Sequence, residues 1–415
     1  MKNLCLRIIL AAAALAATSW AADTEKILFN VQGGAYGYDP FSMVRDANGN
    51  IYGTFFEGGS ACPYTIGCGV VYKLSPNANG QFSESIIHTF TGGDDGSEPT
   101  SLLMDPAGNL FVATLGGGSK KCIGGCGAIV ELSPLPGGSW STTVLYDFQG
   151  DFDGQHPTIS TMDAQGNIYG AFLKAGQVFE LTRNSNRTWT KKFLYLFDTT
   201  SAYYPTPWVV DGNGNVYGTA WFGGDSGCLE YQGSCGAIFE LSPNSDGTWS
   251  PTLLHSFTGP DGARPLMIIP DANGNFFGVT LTGGTGTSCT TGSSFGCGTL
   301  FELSPSSTGY TFSVLHDFNK TLDGYEPYYL VMDQNENLYI AADVGGVGGK
   351  GVVLEFTLGS DGIWEYSTLH SFAGGLGGSY PNALQVDSSG NVYGIAVAGG
   401  TKNYGVIFEL SPSAE

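Results

Sequence analysis

The chain has 415 residues, among them 64 glycines, with 37 acidic against 16 basic residues and a formal charge of −21. That balance speaks against nucleic acid or an anionic membrane as partner, since both demand clustered Lys and Arg. A hydrophobic content of 42% is that of a folded protein and speaks against disorder.

The first predicted element is an export signal. Lys2 and Arg7 precede an apolar run over residues 8–17 that is too short to span a bilayer. Ser19-Trp20-Ala21 then offers small residues at the positions a signal peptidase reads, which places cleavage after Ala21, with Ala22 as the alternative. Cys5 lies ahead of the apolar run and so is no lipid-attachment site. The expectation is a signal peptide over 1–21 and one domain over 22–415, secreted or periplasmic and without membrane insertion; a monomer is favoured, the sequence leaving the oligomeric state open. No later stretch is apolar enough to insert, and the C-terminus has no anchor pattern. Without Lys2 and Arg7, 14 basic residues face 37 acidic ones, a charge of −23.

Beyond the signal the sequence repeats itself. Asp-x-x-Gly-Asn followed by an apolar run begins at Asp46, Asp105, Asp163, Asp211, Asp271, Asp333 and Asp387, with Glu336 replacing the Gly of the sixth copy. Each copy predicts four short strands, illustrated by residues 99–105 (PTSLLMD), 109–114 (NLFVAT), 128–132 (AIVEL) and 143–148 (TVLYDF). Asn-Gly, Gly-Gly, Ser-Pro and Asp-Gly signals separate them. No stretch holds a 3.6-residue apolar period, so almost no helix is expected. The seventh copy stops after its third strand, residues 406–410 (VIFEL), while residues 26–31 (KILFNV) match a fourth strand. The sequence therefore predicts an all-β, seven-bladed β-propeller of four antiparallel strands per blade, whose N-terminal strand completes the last blade and leaves no open seam.

The strings DANGNIYGT, DPAGNLFVA, DGNGNVYGT and DANGNFFGV, each followed by a Gly-Gly loop and a strand ending in Glu-Leu, resemble the GloVer tandem-repeat family. The resemblance covers nearly all of the mature chain. It implies an exported bacterial repeat protein; relatives often carry C-terminal anchors, and none is expected here. It implies no activity.

Eight cysteines fall into four local pairs, Cys62/Cys68, Cys122/Cys126, Cys228/Cys235 and Cys289/Cys297, each between strands two and three. In an exported chain these read as four disulfides, each closing a small loop and contributing about 2–3 kcal/mol at most. A zinc reading of Cys122-x-x-x-Cys126 lacks a second ligand pair. The disulfides thus read as clips on optional loops.

His88, His255, His316 and His370 share one repeat position and read as strand-four packing residues; His156 lies in a loop. Asp-x-Asn-x-Asn at Asp46, Asp211 and Asp271 resembles the start of a calcium loop. It lacks the Gly and Glu such a loop requires, so a hairpin turn is the favoured reading, with calcium as the alternative and no other cofactor expected. Residues 244–249 (NSDGTW) approach a sialidase Asp box. Arg45, Arg183, Arg187 and Arg264 are too scattered to form the arginine cluster that activity needs.

One repeat position varies most in chemistry. The residue before each strand-one proline is Asp39, Glu98, His156, Tyr204, Arg264, Glu326 or Tyr380. At the channel mouth such a mixed ring would read a polar small molecule or a glycan. No triad, metal cluster or cofactor fingerprint stands out, so a binding or scaffold propeller is the favoured function. The alternative is a carbohydrate-active hydrolase or lyase using Asp39, Glu98 and Glu326 with His156.

Overall fold

A computed structural model describes residues 24–411 apart from 61, 63–65, 173–175, 187, 199–200, 225–227, 229–233, 287–288 and 290–295. The export signal, Arg187 and most of the third blade's short loop lie outside the described residues.

The repeated Asp-x-x-Gly-Asn motif is a hairpin built by one carboxylate. Asp46 Oδ1 accepts the backbone N–H groups of Asn48 and Asn50 at 2.9 and 2.8 Å. Its Oδ2 accepts Asn50 Nδ2 at 2.7 Å and the Tyr52 hydroxyl at 3.1 Å. The other six aspartates hold the Asn four residues on by the same pair of backbone and side-chain bonds. The motif thus needs Asp first and Asn last, and the oxygens of the calcium-like strings serve these turn donors. The Gly of the motif sits at φ between 79° and 85° in six copies, and Glu336 takes the same left-handed conformation at 65°. An L side chain there costs about 1–2 kcal/mol. Glu336→Gly should therefore raise stability by about 0.5–1 kcal/mol after the extra entropy of an unfolded glycine is deducted, visible as a higher Tm in calorimetry.

Among the described residues 28 strands form seven four-stranded antiparallel sheets and there is no α-helix. In six sheets the spatial order follows the chain. The seventh runs Thr24–Asn30, Val406–Ser411, Val392–Ala398, Ser379–Val386, so the N-terminal strand does complete the last blade. Its register sets Lys26 opposite Glu409 and Ile27 opposite Phe408, with Lys26 Nζ donating to Glu409 at 3.1 Å.

The first strands are Tyr38–Arg45, Ser97–Met104, Pro157–Met162, Ala202–Val210, Ala263–Pro270, Tyr325–Met332 and Ser379–Val386. Each packs against the next, and the last returns to the first, making a closed inner ring. Fourth strands such as Trp249–Ser256 lie at the outer edge with exposed residues.

The core lies between blades rather than within them. One cluster joins Val353 and Phe372 of blade six to Leu384, Val392 and Phe408 of blade seven; another joins Ile395 and Ile407 of blade seven to Met43, Ile51 and Phe55 of blade one. Packing is set by a cross-strand rule. Gly53, Gly170, Gly218, Gly278 and Gly394 of the second strands face Tyr72, Phe179, Phe239, Phe301 and Phe408 of the third. A Cβ on any of these glycines would fall within 2.6 Å of the facing ring. The two blades without this glycine have Val112 opposite Val130 and Ile340 opposite Leu354. Large and small residues are therefore exchanged in pairs, as close packing requires. Phe301→Val should cost about 2–4 kcal/mol by cavity formation, and Gly278→Val about 1–3 kcal/mol by overpacking. The double variant should recover at least 1 kcal/mol, roughly, of the summed loss in a denaturant double-mutant cycle.

The four expected disulfides form: Cys62–Cys68, Cys122–Cys126, Cys228–Cys235 and Cys289–Cys297. They fit an oxidising extracellular or periplasmic compartment, and no helix among the described residues is long and apolar enough to cross a membrane. The second cysteine of each pair is buried at a junction between blades, Cys126 beside Phe148 and Ile159 for example. The clips thus belong to the packed core as well as to the loops.

Candidate functional site

The seven residues before the strand-one prolines share one unusual backbone state. Asp39, Glu98, His156, Tyr204, Arg264, Glu326 and Tyr380 all have φ between 55° and 61°. They make up seven of the ten described non-glycine residues at positive φ. Each is followed by a buried proline. The proline fixes its own φ and lacks a donor, so the preceding N–H is the last one available at the turn. In five blades that N–H bonds to the preceding blade: Glu98 to the Cys68 carbonyl at 2.9 Å, His156 to Cys126 at 3.0 Å, Arg264 to Cys235 at 2.8 Å, Glu326 to Cys297 at 3.1 Å and Tyr380 to Lys350 at 2.8 Å. These residues therefore open the inner strands at one rim, together with the Gly-Gly and cysteine loops. The Asp-x-x-Gly-Asn hairpins occupy the opposite rim.

Around the rim, Asp39 is exposed and the other six are half-buried. Tyr204 packs edge-on against Tyr203 and Phe222, with ring centroids 4.7 and 5.8 Å away. Tyr380 receives Lys350 Nζ on its hydroxyl at 3.3 Å. Although much of the Asp39 residue is exposed, partial burial of its carboxyl and nearby Glu57 hold it above the usual carboxylate range. Glu326 is raised by burial, against the opposing field of Arg264 from the adjacent blade. Arg264 and Glu326 are thus electrostatic neighbours, whereas Asp39 belongs with Glu57. The three acids of the hydrolase reading sit on blades one, two and six, not in one group.

The structure adds a partner that sequence reasoning missed. Tyr325 pairs with Val344 and Pro327 with Ala342, which sets Glu326 in register with Asp343. Burial, with Glu326 adding to it, pushes the Asp343 carboxyl up to about 6. Tyr325 feels Glu326, Asp343 and Tyr380 together, and Tyr328 feels Asp343. The rim sector of blades five to seven therefore combines one guanidinium, two carboxyls and three tyrosines. A signal for Asp343 existed: its counterparts in the other copies are Phe56, Leu115, Leu173, Trp221, Leu281 and Val397. An acid whose folded pKa lies above its unfolded value contributes stability below the unfolded pKa and loses it as pH rises through the folded one. Asp343→Asn should accordingly be more stable than the parent at pH 8, by about 1 kcal/mol after solvent screening, and equal to it near pH 4. Urea melts across that range would check this.

The histidines of strand four behave as packing residues with a second duty. His88, His255, His316 and His370 lie edge-on to Phe90, Phe257, Phe318 and Phe372. The first three also bond to Asp95, Asp261 and Asp323 of the following loop at 3.0, 2.9 and 2.6 Å, and Tyr146 bonds likewise to Asp153. These aspartates accept backbone N–H groups of their own loops, so the pairs brace the segments leading to Glu98, His156, Arg264 and Glu326. Residues 244–249 form a hairpin held by Asp246 on Thr248. Arg45 meets Asp387 on the rim opposite Arg264.

Residues 39–291 and 285–415 match a family described as the Gloeobacter/Verrucomicrobia repeat. No curated protein matches the sequence. Solved structures share the fold at low identity. A streptogramin B lyase aligns over 94% of this chain and 98% of its own at 13% identity and TM-score 0.57. A protein from Lactobacillus plantarum aligns over 88% and 96% at 12% identity and TM-score 0.53. The periplasmic gluconolactonase of Pseudomonas aeruginosa aligns over 85% and 95% at 13% identity and TM-score 0.50.

Proposed function

As the chain belongs to the Gloeobacter/Verrucomicrobia repeat family, we propose that it is an exported binding propeller. It recognises a polar or carbohydrate ligand at the rim where the inner strands begin. The observation that carries this reading is the left-handed backbone at all seven positions before the strand-one prolines. Glycine is the residue such a conformation favours, and the chain is rich in glycine elsewhere, yet none of the seven is glycine. Strain held at equivalent positions around a ring points to side chains retained for what they contact. Tyrosine faces suit sugar rings, carboxylates accept hydroxyl bonds and Arg264 offers a planar fork to an acidic group. Ile123, Phe152 and Val347 are almost fully exposed on loops of the same rim. Such flanks favour an extended ligand over one enclosed in a small pocket.

The test is a glycan-array screen of the mature protein, followed by Arg264→Ala and Tyr204→Gly on whichever ligand binds. Both variants should weaken binding by about tenfold or more, while Tyr204→Gly, freed of its backbone strain, should stay within about 1 kcal/mol of the parent in stability. Full affinity in both variants would overturn the reading. A second reading, catalysis, is favoured by Glu326 and Asp343 standing in register, both carboxyls pushed up by burial, that of Asp343 to about 6. It requires Asp343→Asn to abolish turnover of a bound ligand without loss of affinity.

A further inference from the structure

We propose that the second cysteine of each disulfide is a positioning residue for the next blade, its carbonyl fixing the rim residue that follows. The clips at Cys68, Cys126, Cys235 and Cys297 then set the placement of Glu98, His156, Arg264 and Glu326. The proposal deepens the rim-binding reading and names residues that determine its specificity.

Three observations carry it. The first is the contact itself: each of these four carbonyls accepts the N–H of the rim residue one blade on, at 2.8 to 3.1 Å. The glycine after each cysteine also touches the following proline closely. A Cβ on Gly69, Gly127, Gly236 or Gly298 would come within 2.6 Å of the Cδ of Pro99, Pro157, Pro265 or Pro327. A Cys-Gly unit of one blade is thus seated on the rim-residue–proline unit of the next.

The second is sulfur placement. The sulfurs of Cys122 and Cys126 lie against Gly150, at the start of the loop that leads to His156. The sulfur of Cys235 lies beside Gly259 in the loop that leads to Arg264. A cleft lined by Cys122, Ile123, Gln149, Asp151 and Gln155 opens at the first of these junctions. The clip therefore touches the approach to the rim residue as well as its amide.

The third is the distribution of the clips around the ring. The four clipped blades precede Glu98, His156, Arg264 and Glu326, which carry charged or imidazole groups. The three blades without a clip precede Tyr204, Tyr380 and Asp39. In blade six, which has no cysteine, the Lys350 backbone carbonyl accepts the Tyr380 N–H at 2.8 Å and Gly351 seats Pro381 in the same way, so what replaces the clip is a side-chain contact. Lys350 reaches the Tyr380 hydroxyl, and Tyr404 packs on Tyr38 beside Asp39, ring centroids 5.2 Å apart. Hydrogen bonds to charged groups are directional and short-ranged, whereas an aromatic face tolerates displacement, which separates Tyr204 and Tyr380 from the clipped four; the carboxylate Asp39 departs from that division. Isolated bridges such as Gly58 to Gly67 and Gly117 to Gly125 pair these loops only briefly, and a disulfide across four to eight residues ties them further.

Native-state amide exchange on the full mature chain tests this one clip at a time. In Cys228→Ser/Cys235→Ser the Arg264 amide should exchange about tenfold faster or more, while Glu98, His156, Tyr380 and the strand amides of Ala237–Pro243 keep their protection. The other three double variants should each loosen only their own successor. Equal acceleration throughout blades four and five, or none at Arg264, would overturn the proposal, because a merely stabilising clip acts on its own blade. Should a variant fail to fold, partial reduction of the parent chain by a dithiol gives the same reading. Each clip then yields two thiols as the reagent closes to its cyclic disulfide. Tyr380, bonded to Lys350, is the internal control, and faster exchange there in step with the four others would count against the proposal. A ligand found on the array should lose affinity in the variants whose successor contacts it. If no ligand is found, the rim-binding reading fails while the exchange result still decides the role of the clips.

Discussion

Pairing of Thr24–Asn30 with Val406–Ser411 is the constraint on which the rest depends. Every blade buries its two faces against its neighbours, and the hydrophobic clusters straddle the junctions. Such a core has no centre that survives alone. An open ring would leave two blade faces in water and two inner strands each without one neighbour. Closing one sheet from both ends of the chain turns a row of seven marginal sheets into a ring in which every interface is filled. It also ties the termini together across nearly the whole length of the sequence, by Lys26 on Glu409 among others.

Within that ring, two local devices make the blades interchangeable. The aspartate of each hairpin satisfies two backbone N–H groups and an Asn side chain, so the turn is specified without help from the neighbouring blade. The pairing of Gly with a facing aromatic, or of two aliphatics, keeps the thickness of the blade constant. Both act between residues of a single repeat. Repeats can then differ in their loops and still stack, and the fifth blade accommodates its long cysteine loop on the same frame as the third blade with its short one.

The same distinction explains what could be read from sequence. Blade number, strand order, closure and disulfide pairing follow from interactions local to a repeat or from the missing strand at one end, and these are visible as periodicity. The seven rim positions were visible too, because a proline marks each of them. Their left-handed backbone was not, since Asp, Glu, His, Tyr and Arg do not advertise it as glycine would. Contacts between repeats left less trace. The hydrogen bond from Arg264 to Cys235 uses only backbone atoms and has no side-chain signature. The neighbours Arg264 and Glu326 are 62 positions apart, and only stacking of the blades brings them together. Asp343 occurs once, so a reading built on what recurs passes over it.

Rim chemistry and frame stability are physically decoupled in this architecture. Five of the seven rim residues are held by their backbone: an N–H given to the preceding blade and a proline wedged behind it. Neither contact involves the side chain, so these two contacts place no demand on what the side chain is, beyond a penalty common to all L residues at that φ. Frame positions are the opposite case, because there each side chain is matched to a partner. Diversity at a position the fold does not police, beside uniformity at positions it does, is the pattern expected where selection acts on contacts outside the chain. The penalty itself sharpens the argument. Glycine would remove the strain at such a position, and none of the seven is glycine.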